Sequence, residues 1–162
     1  MPQVYLIIGS NLGDRLWYFN QAKKWLIDLA VFITKESAIY ETEPWGFEDN
    51  NLFINQVIVI ETHMTPASLL TELKNIEVSL GRIHKVDYYE ARCIDIDILF
   101  YESLIINTTE LIIPHPEIAN RRFVLVPLNE LNPSLYHPVL MKTCSELLAE
   151  CKDTCRVDLF SK

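Results

Sequence analysis

The order of strand-like and helix-like segments, β-α-β-β-α-β, predicts an α+β domain of the ferredoxin-like kind. That is an antiparallel sheet with helices on one face, here with C-terminal additions. Three observations carry this. Residues 94–100 alternate with a period of two, setting Ile94, Ile96, Ile98 and Phe100 against Asp95, Asp97 and Leu99, the pattern of a strand with one buried face. Two segments repeat apolar residues at steps of three and four: Leu16, Phe19, Ala22, Leu26 and Leu29, then Leu69, Leu70, Leu73, Ile76 and Leu80. Both read as amphipathic helices. The apolar run 4–8 and the β-rich stretches 31–42 and 52–62 fall between them in the required order.

The first strand, 4–8, ends at Gly9-Ser10-Asn11-Leu12-Gly13-Asp14, and Asp14 is placed to cap the helix that follows. A glycine loop opening a helix invites a phosphate-binding reading. This one has neither the Gly-Lys-Ser/Thr of a P-loop nor G-x-G-x-x-G, so a structural turn is preferred. Ile33, Ile39 and Tyr40, then Phe53, Ile54 and Val57 to Ile60, suggest two strands. The connection between them, 43–51, is long for a hairpin and carries Trp45 and Phe47, as functional lids often do. Asn55 interrupts an apolar strand and needs a hydrogen-bond partner if buried. Thr65-Pro66 starts the second helix with a cap and a proline at its first position, and Gly81 ends it. Lys74 and Glu77 are expected on the face opposite its apolar stripe. Residues 105–113 give further strand-like pieces, Pro114-His115-Pro116 a rigid turn, and 143–151 a final helix.

The chain has 162 residues, 49% of them hydrophobic and 22% charged, which suits one folded domain spanning 1–162. Its 14 basic and 22 acidic residues give a net charge of -8, which disfavours nucleic acid as a partner. No apolar run approaches the ~18 residues of a membrane span, and no basic n-region precedes residues 4–8. The expectation is a cytoplasmic protein, a monomer, with small-molecule substrates and no membrane. The four cysteines, 93, 144, 151 and 155, form no C-x-x-C pair and have no nearby His to complete a zinc set; Cys151 and Cys155 are spaced to meet each other or a metal, but reduced, partly buried thiols are the preferred reading.

On the alternating strand, Asp95 and Asp97 point the same way with α-carbons roughly 6.6 Å apart. Paired carboxylates suit a hard cation such as Mg²⁺, which commonly binds one or two carboxylates plus substrate phosphates. Immediately before them, residues 82–92 bring Arg82, His84, Lys85 and Arg92, a cationic stretch in an acidic protein. A polyphosphate held through Mg²⁺ fits that pairing. Asn120-Arg121-Arg122-Phe123 adds further positive charge near an aromatic ring.

Across residues 4–130, Gly9-Ser10-Asn11-Leu12-Gly13, Glu41-Thr42-Glu43-Pro44, Phe53-Ile54-Asn55, Glu77, Gly81-Arg82, Arg92-x-x-Asp95-x-Asp97, Pro114-His115 and Asn120-Arg121-x-Phe123 stand in order and at spacing. Together they resemble the 6-hydroxymethyl-7,8-dihydropterin pyrophosphokinase family of the folate pathway. The resemblance implies transfer of pyrophosphate from ATP to the pterin hydroxymethyl group, leaving AMP. It implies that Asp95 and Asp97 hold two Mg²⁺ ions, and that Arg82 and Arg92 clamp the phosphates as catalytic residues. Lys74, Glu77, His84, Arg92, Ile98, His115 and Arg121 are implied for ATP. Thr42, Pro44, Trp45, Phe53, Asn55 and Phe123 are implied for the pterin, with the ring between Phe53 and Phe123. Loops 43–52 and 82–92 would close over the substrates to expel water. The sequence departs from the family's usual residues at Phe53, Lys74, His84, Tyr89, Glu110 and Pro116. A different Mg²⁺-dependent phosphotransferase, and a binding module without catalysis, are the alternatives; formation of AMP separates all three.

Overall fold

Phe53–Glu61 is the strand on which the sheet is built, and its burial along almost its whole length explains why apolar residues run through it without alternating. In chain order the elements are β1 (Gln3–Ser10), α1 (Arg15–Asp28), β2 (Phe32–Glu36), β3 (Tyr40–Thr42), β4 (Phe53–Glu61), α2 (Pro66–Ser79), β5 (Asp95–Tyr101), β6 (Ile106–Asn107), β7 (Ile112–Ile113), α3 (Arg122–Leu131), β8 (Tyr136–His137), β9 (Lys142–Thr143), α4 (Cys144–Glu150) and β10 (Val157–Leu159). The computed structural model describes residues 1–44, 51–81 and 93–161. The main sheet runs β10-β3-β4-β1-β5, with β2 also paired to β4. Every pairing in it is antiparallel.

Two cores sandwich this sheet. Val4, Leu6 and Ile8 of β1 pack with Phe19, Ala22 and Leu26 of α1 and with Leu69, Leu73 and Ile76 of α2. The two helices of the βαββαβ unit thus share one face, as the element order predicted. The C-terminal additions supply the second core, where Val124, Leu125 and Leu128 of α3 and Leu147 of α4 lie over Tyr5, Ile7, Val57 and Val59. Burial on both faces makes β1 and β4 read as continuous apolar runs, and so conceals which of their residues look which way.

The helix starts follow the local chemistry. Asp14 accepts a hydrogen bond from Trp17 N at 3.0 Å, and Thr65 from Ser68 N at 3.2 Å, each satisfying an otherwise orphaned donor. Gly81, at φ +97°, takes the left-handed turn that ends α2. At α3, Arg121 gives no side-chain cap, and the tail supplies one instead: Asp153 Oδ2 accepts from Arg122 N at 2.9 Å. Burial alone would raise the Asp153 carboxyl, but hydrogen bonds from the Cys155 and Arg122 amides and the Arg122 charge carry it below its ordinary value.

Two features depart from the sequence reading. The β-rich stretch 31–42 is broken into β2 and β3 at residues 37–39. In β5, alternation holds only as far as Ile98. Leu6 faces Ile98 but Tyr5 faces Phe100, so Leu99 is the extra residue of a β-bulge. Beyond it parity flips. Phe100 joins Leu99 in the second core, not Ile94, Ile96 and Ile98 in the first, and Tyr101 takes the first-core side.

Candidate active site

Three adjacent strands form the floor of the site. In the registers of β1, Gly9 faces Asn55 on β4 and Asp95 on β5, and Ile7 faces Val57 and Asp97. Two rows therefore run across the sheet, Asn55–Gly9–Asp95 and Val57–Ile7–Asp97. Residues opposite one another share a face. Gly9, Ile7, Asn55, Asp95 and Asp97 all open onto one cleft of about 380 Å³. Thr42 and Phe53 flank it from β3 and β4, His115 and Arg121 from the turns after β7, and Phe123 from the start of α3.

At the Asn55 end the polar groups are buried and paired. Asn55 and Thr42 are 4% and 2% exposed, and Asn55 Nδ2 donates to Thr42 Oγ1 at 2.8 Å. The partner that the sequence required for Asn55 is thus Thr42. Phe53 and Phe123, both half-buried, line the same cleft. The Arg121 guanidinium lies 5.8 Å from the Phe123 ring centroid, within cation–π range.

At the acidic end, Asp95 and Asp97 are half-buried on alternate positions of β5. His115 is fixed beside them. Its backbone N–H donates to the carbonyl of Leu99, the bulge residue, at 2.9 Å. Its Nδ1 accepts from Glu117 N at 3.1 Å, which leaves the ring proton on Nε2. Burial first, then the Arg121 charge, lower the imidazole from 6.5 to about 4, against the opposing pull of Asp95 and Glu117. The ring is neutral at physiological pH, with Nε2–H as its one donor.

Glu77 is the clearest correction. It was expected on the outer face of its helix, but it is buried at 3% exposure and Oε1 accepts from Ile96 N at 2.8 Å. β5 is a sheet edge, so this amide has no strand partner on that side, and the carboxylate of α2 takes its place. Glu77 thereby grips the backbone between Asp95 and Asp97. Of the other expected ATP residues, Ile98 belongs to the core under α1 and α2, and Lys74 is exposed on α2; neither lines the cleft. Pro44 is half-buried and is likewise not among the cleft residues. Trp45, Arg82, His84 and Arg92 lie outside the described residues, as do positions 45–50 of the first loop and all of 82–92.

Sequence reasoning missed Ile7, Glu43, Glu117 and Val124 as cleft residues, and it treated Gly9 as part of a turn. The signal for Ile7 and Gly9 was present as the odd positions of β1, hidden because the even ones are apolar too. Among the described residues, no group of three or more His, Cys, Asp or Glu side chains could enclose a metal ion. Two carboxylates alone fit an ion that completes its coordination with substrate oxygens, as Mg²⁺ does. Also among the described residues, no helix is long and apolar enough to cross a membrane.

Residues 5–133 match the model of the family described as 7,8-dihydro-6-hydroxymethylpterin-pyrophosphokinase (HPPK). The chain belongs to this family. It is 39% identical over 150 residues to the 2-amino-4-hydroxy-6-hydroxymethyldihydropteridine pyrophosphokinase of Aquifex aeolicus, covering 93% of this chain and 92% of that one. It is 43% identical over 136 residues to the folic acid synthesis protein fol1 of Pneumocystis carinii, covering 84% of this chain but only 18% of that larger protein. The wild-type HPPK-DHPS of Plasmodium falciparum superposes with a TM-score of 0.73 at 18% identity, over 92% of this chain and 44% of that one. That last likeness is one of fold, and the fold is ferredoxin-like. The family match ends at residue 133, so it takes in every cleft residue named above but not α4 or β10.

Proposed function

We propose that the protein transfers pyrophosphate from ATP to the hydroxymethyl group of 6-hydroxymethyl-7,8-dihydropterin, giving the pterin diphosphate and AMP, a step of tetrahydrofolate biosynthesis. The observation that carries this is the sheet row Asn55–Gly9–Asp95. It sets a buried amide with flanking aromatics at one end of the cleft and a carboxylate pair at the other. A flat heteroaromatic suits the slot between Phe53 and Phe123, with Asn55 and Thr42 reading its polar edge. The hydroxymethyl oxygen would attack the β-phosphorus and give up its proton to water, the bond from that phosphorus to the oxygen shared with the α-phosphorus would break, and AMP would leave with that oxygen. Such transfer needs alignment and charge neutralisation more than covalent help.

Among the described residues the cleft carries Glu43, Asp95, Asp97 and Glu117 against Arg121. A polyphosphate enters such a site only with cations. In this reading Asp95 and Asp97 hold two Mg²⁺ ions, which neutralise the phosphate chain when bound. Arg121 and the neutral His115, donating through Nε2, orient phosphate oxygens, and Glu77 steadies the strand that carries both acids. Arg82, His84 and Arg92 are assigned to the phosphates and Trp45 to the pterin from their motif positions alone; Pro44 does not line the cleft and is given no contact in this reading. The protein is read as one domain over 1–162, a cytoplasmic monomer without nucleic acid or membrane partners, in line with its charge of -8.

Incubation with ATP, Mg²⁺ and the reduced hydroxymethylpterin tests this. AMP should appear in step with pterin diphosphate and only when pterin is present. ADP as product, or no nucleotide product, refutes it.

A further inference from the structure

We infer that Gly9 is a positioning residue for substrate recognition: the missing side chain at position 9 is what holds the Asn55 amide in place. The pyrophosphokinase reading supplies what that amide recognises; the geometry below does not depend on it. Gly9 sits directly across from Asn55 in the β1–β4 register. A Cβ on Gly9 would lie 2.8 Å from Asn55 Oδ1, closer than real Cβ atoms come to any neighbour. Backbone freedom is not what requires glycine here, because among the described residues the glycines at positive φ are Gly13 and Gly81, not Gly9. The requirement is space.

The amide is fixed from both ends. Nδ2 is tied to Thr42 Oγ1 at 2.8 Å, and Oδ1 rests over the bare α-carbon of Gly9. At 4% exposure, Asn55 has protein around it except where it opens onto the cleft. Adding a methyl group at 9 leaves one thing to move. The backbone of β1 is held by strands on both sides, whereas Oδ1 is the far end of a side chain. The amide therefore turns, and its bond to Thr42 bends or breaks. The sheet survives and the reader of the pterin edge points elsewhere. The even neighbours Ile8 and Ser10 face away from the cleft, so within this part of β1 the effect belongs to position 9.

The test uses Gly9→Ala, Asn55→Ala and the double variant, with steady-state kinetics and ¹⁵N spectra of the side-chain amides in ligand-free protein. Gly9→Ala should raise the pterin KM by about tenfold, the scale of one lost hydrogen bond in a buried site, and leave the ATP KM within about twofold. In the Asn55→Ala background the same change should add nothing. The Asn55 amide pair should shift in Gly9→Ala. An unmoved Asn55 pair overturns the inference. So does an equal KM rise in both backgrounds, which would mean that the methyl group strikes substrate directly. If the parent protein makes no AMP, the reaction reading fails, yet the spectra still decide whether Gly9 sets Asn55. Should Gly9→Ala not fold, the double variant decides: with the Asn55 amide gone the methyl group has room, so it must fold as Asn55→Ala does, and its failure to fold overturns the inference.

Discussion

Replacing Asp97 by Asn separates function from stability at the acidic end of the cleft. The two carboxylates sit at i and i+2 on β5, with α-carbons roughly 6.6 Å apart. At about 7 Å, two unit charges repel by about 0.6 kcal/mol in a water-like medium and about 2.4 kcal/mol at an effective dielectric of 20. Both residues are half-exposed, so the lower figure is the nearer one. Asparagine keeps the shape and removes the repulsion. Without metal, relief of this repulsion should hold the variant at the parent melting temperature or make it steadier by up to about 1 kcal/mol, less whatever the Asp97 carboxylate gains from its other contacts in the folded protein. Catalysis should go the other way. Losing a carboxylate that holds the phosphate-neutralising ion should cut turnover by at least about 100-fold, or about 2.7 kcal/mol of barrier. Asp95→Asn should behave alike. Thermal melts in chelator, paired with AMP formation at saturating Mg²⁺, read out both halves. A variant that is destabilised yet turns over normally would make the pair a structural feature and refute the assignment.

Other outcomes follow from the same geometry. Phe123→Ala removes one wall of the aromatic slot, so calorimetry should show pterin binding weaker by about 1–3 kcal/mol with ATP binding little changed; equal losses for both ligands would argue against the slot. His115, lowered to about 4 by burial, should titrate there in a ligand-free NMR experiment, and not near 6.5. Its folded value is depressed, so the stability tied to its neutrality is whole above pH 6.5 and is lost as pH falls through about 4. Asp153→Ala strips α3 of the cap that its own flank does not provide, and should cost about 0.5–2 kcal/mol, seen as a fall of about 2–4 °C in Tm per kcal/mol.

Local chemistry made much of this fold legible. Thr65-Pro66 and Asp14 announced their helices because capping is decided within a few residues. The Asp95/Asp97 pair was visible because β5 alternates up to Ile98. What failed depended on neighbours distant in sequence. The bulge at Leu99 is set by register with β1, and nothing within 94–100 marks it. Glu77 looked like a solvent-facing residue because the helix period sorts charge from grease. Its burial depends on an unpaired edge amide on β5, nineteen positions away. The split of 31–42 has a similar origin. Ser37 N donates to Val57 O and Ser37 Oγ accepts from Val57 N, so the break between β2 and β3 is stitched to the middle of β4.

The tail after residue 133 changes where this domain can be cut. β10 pairs along β3, setting Val157 opposite Thr42, and Asp153 holds the first amide of the helix that carries Phe123. A fragment trimmed to the boundaries of the family match would keep every described residue that lines the cleft and lose the strand and the carboxylate that brace two of them. Tags, fusions and truncations near the C-terminus are therefore alterations of the Thr42 and Phe123 side of the cleft, made from outside it.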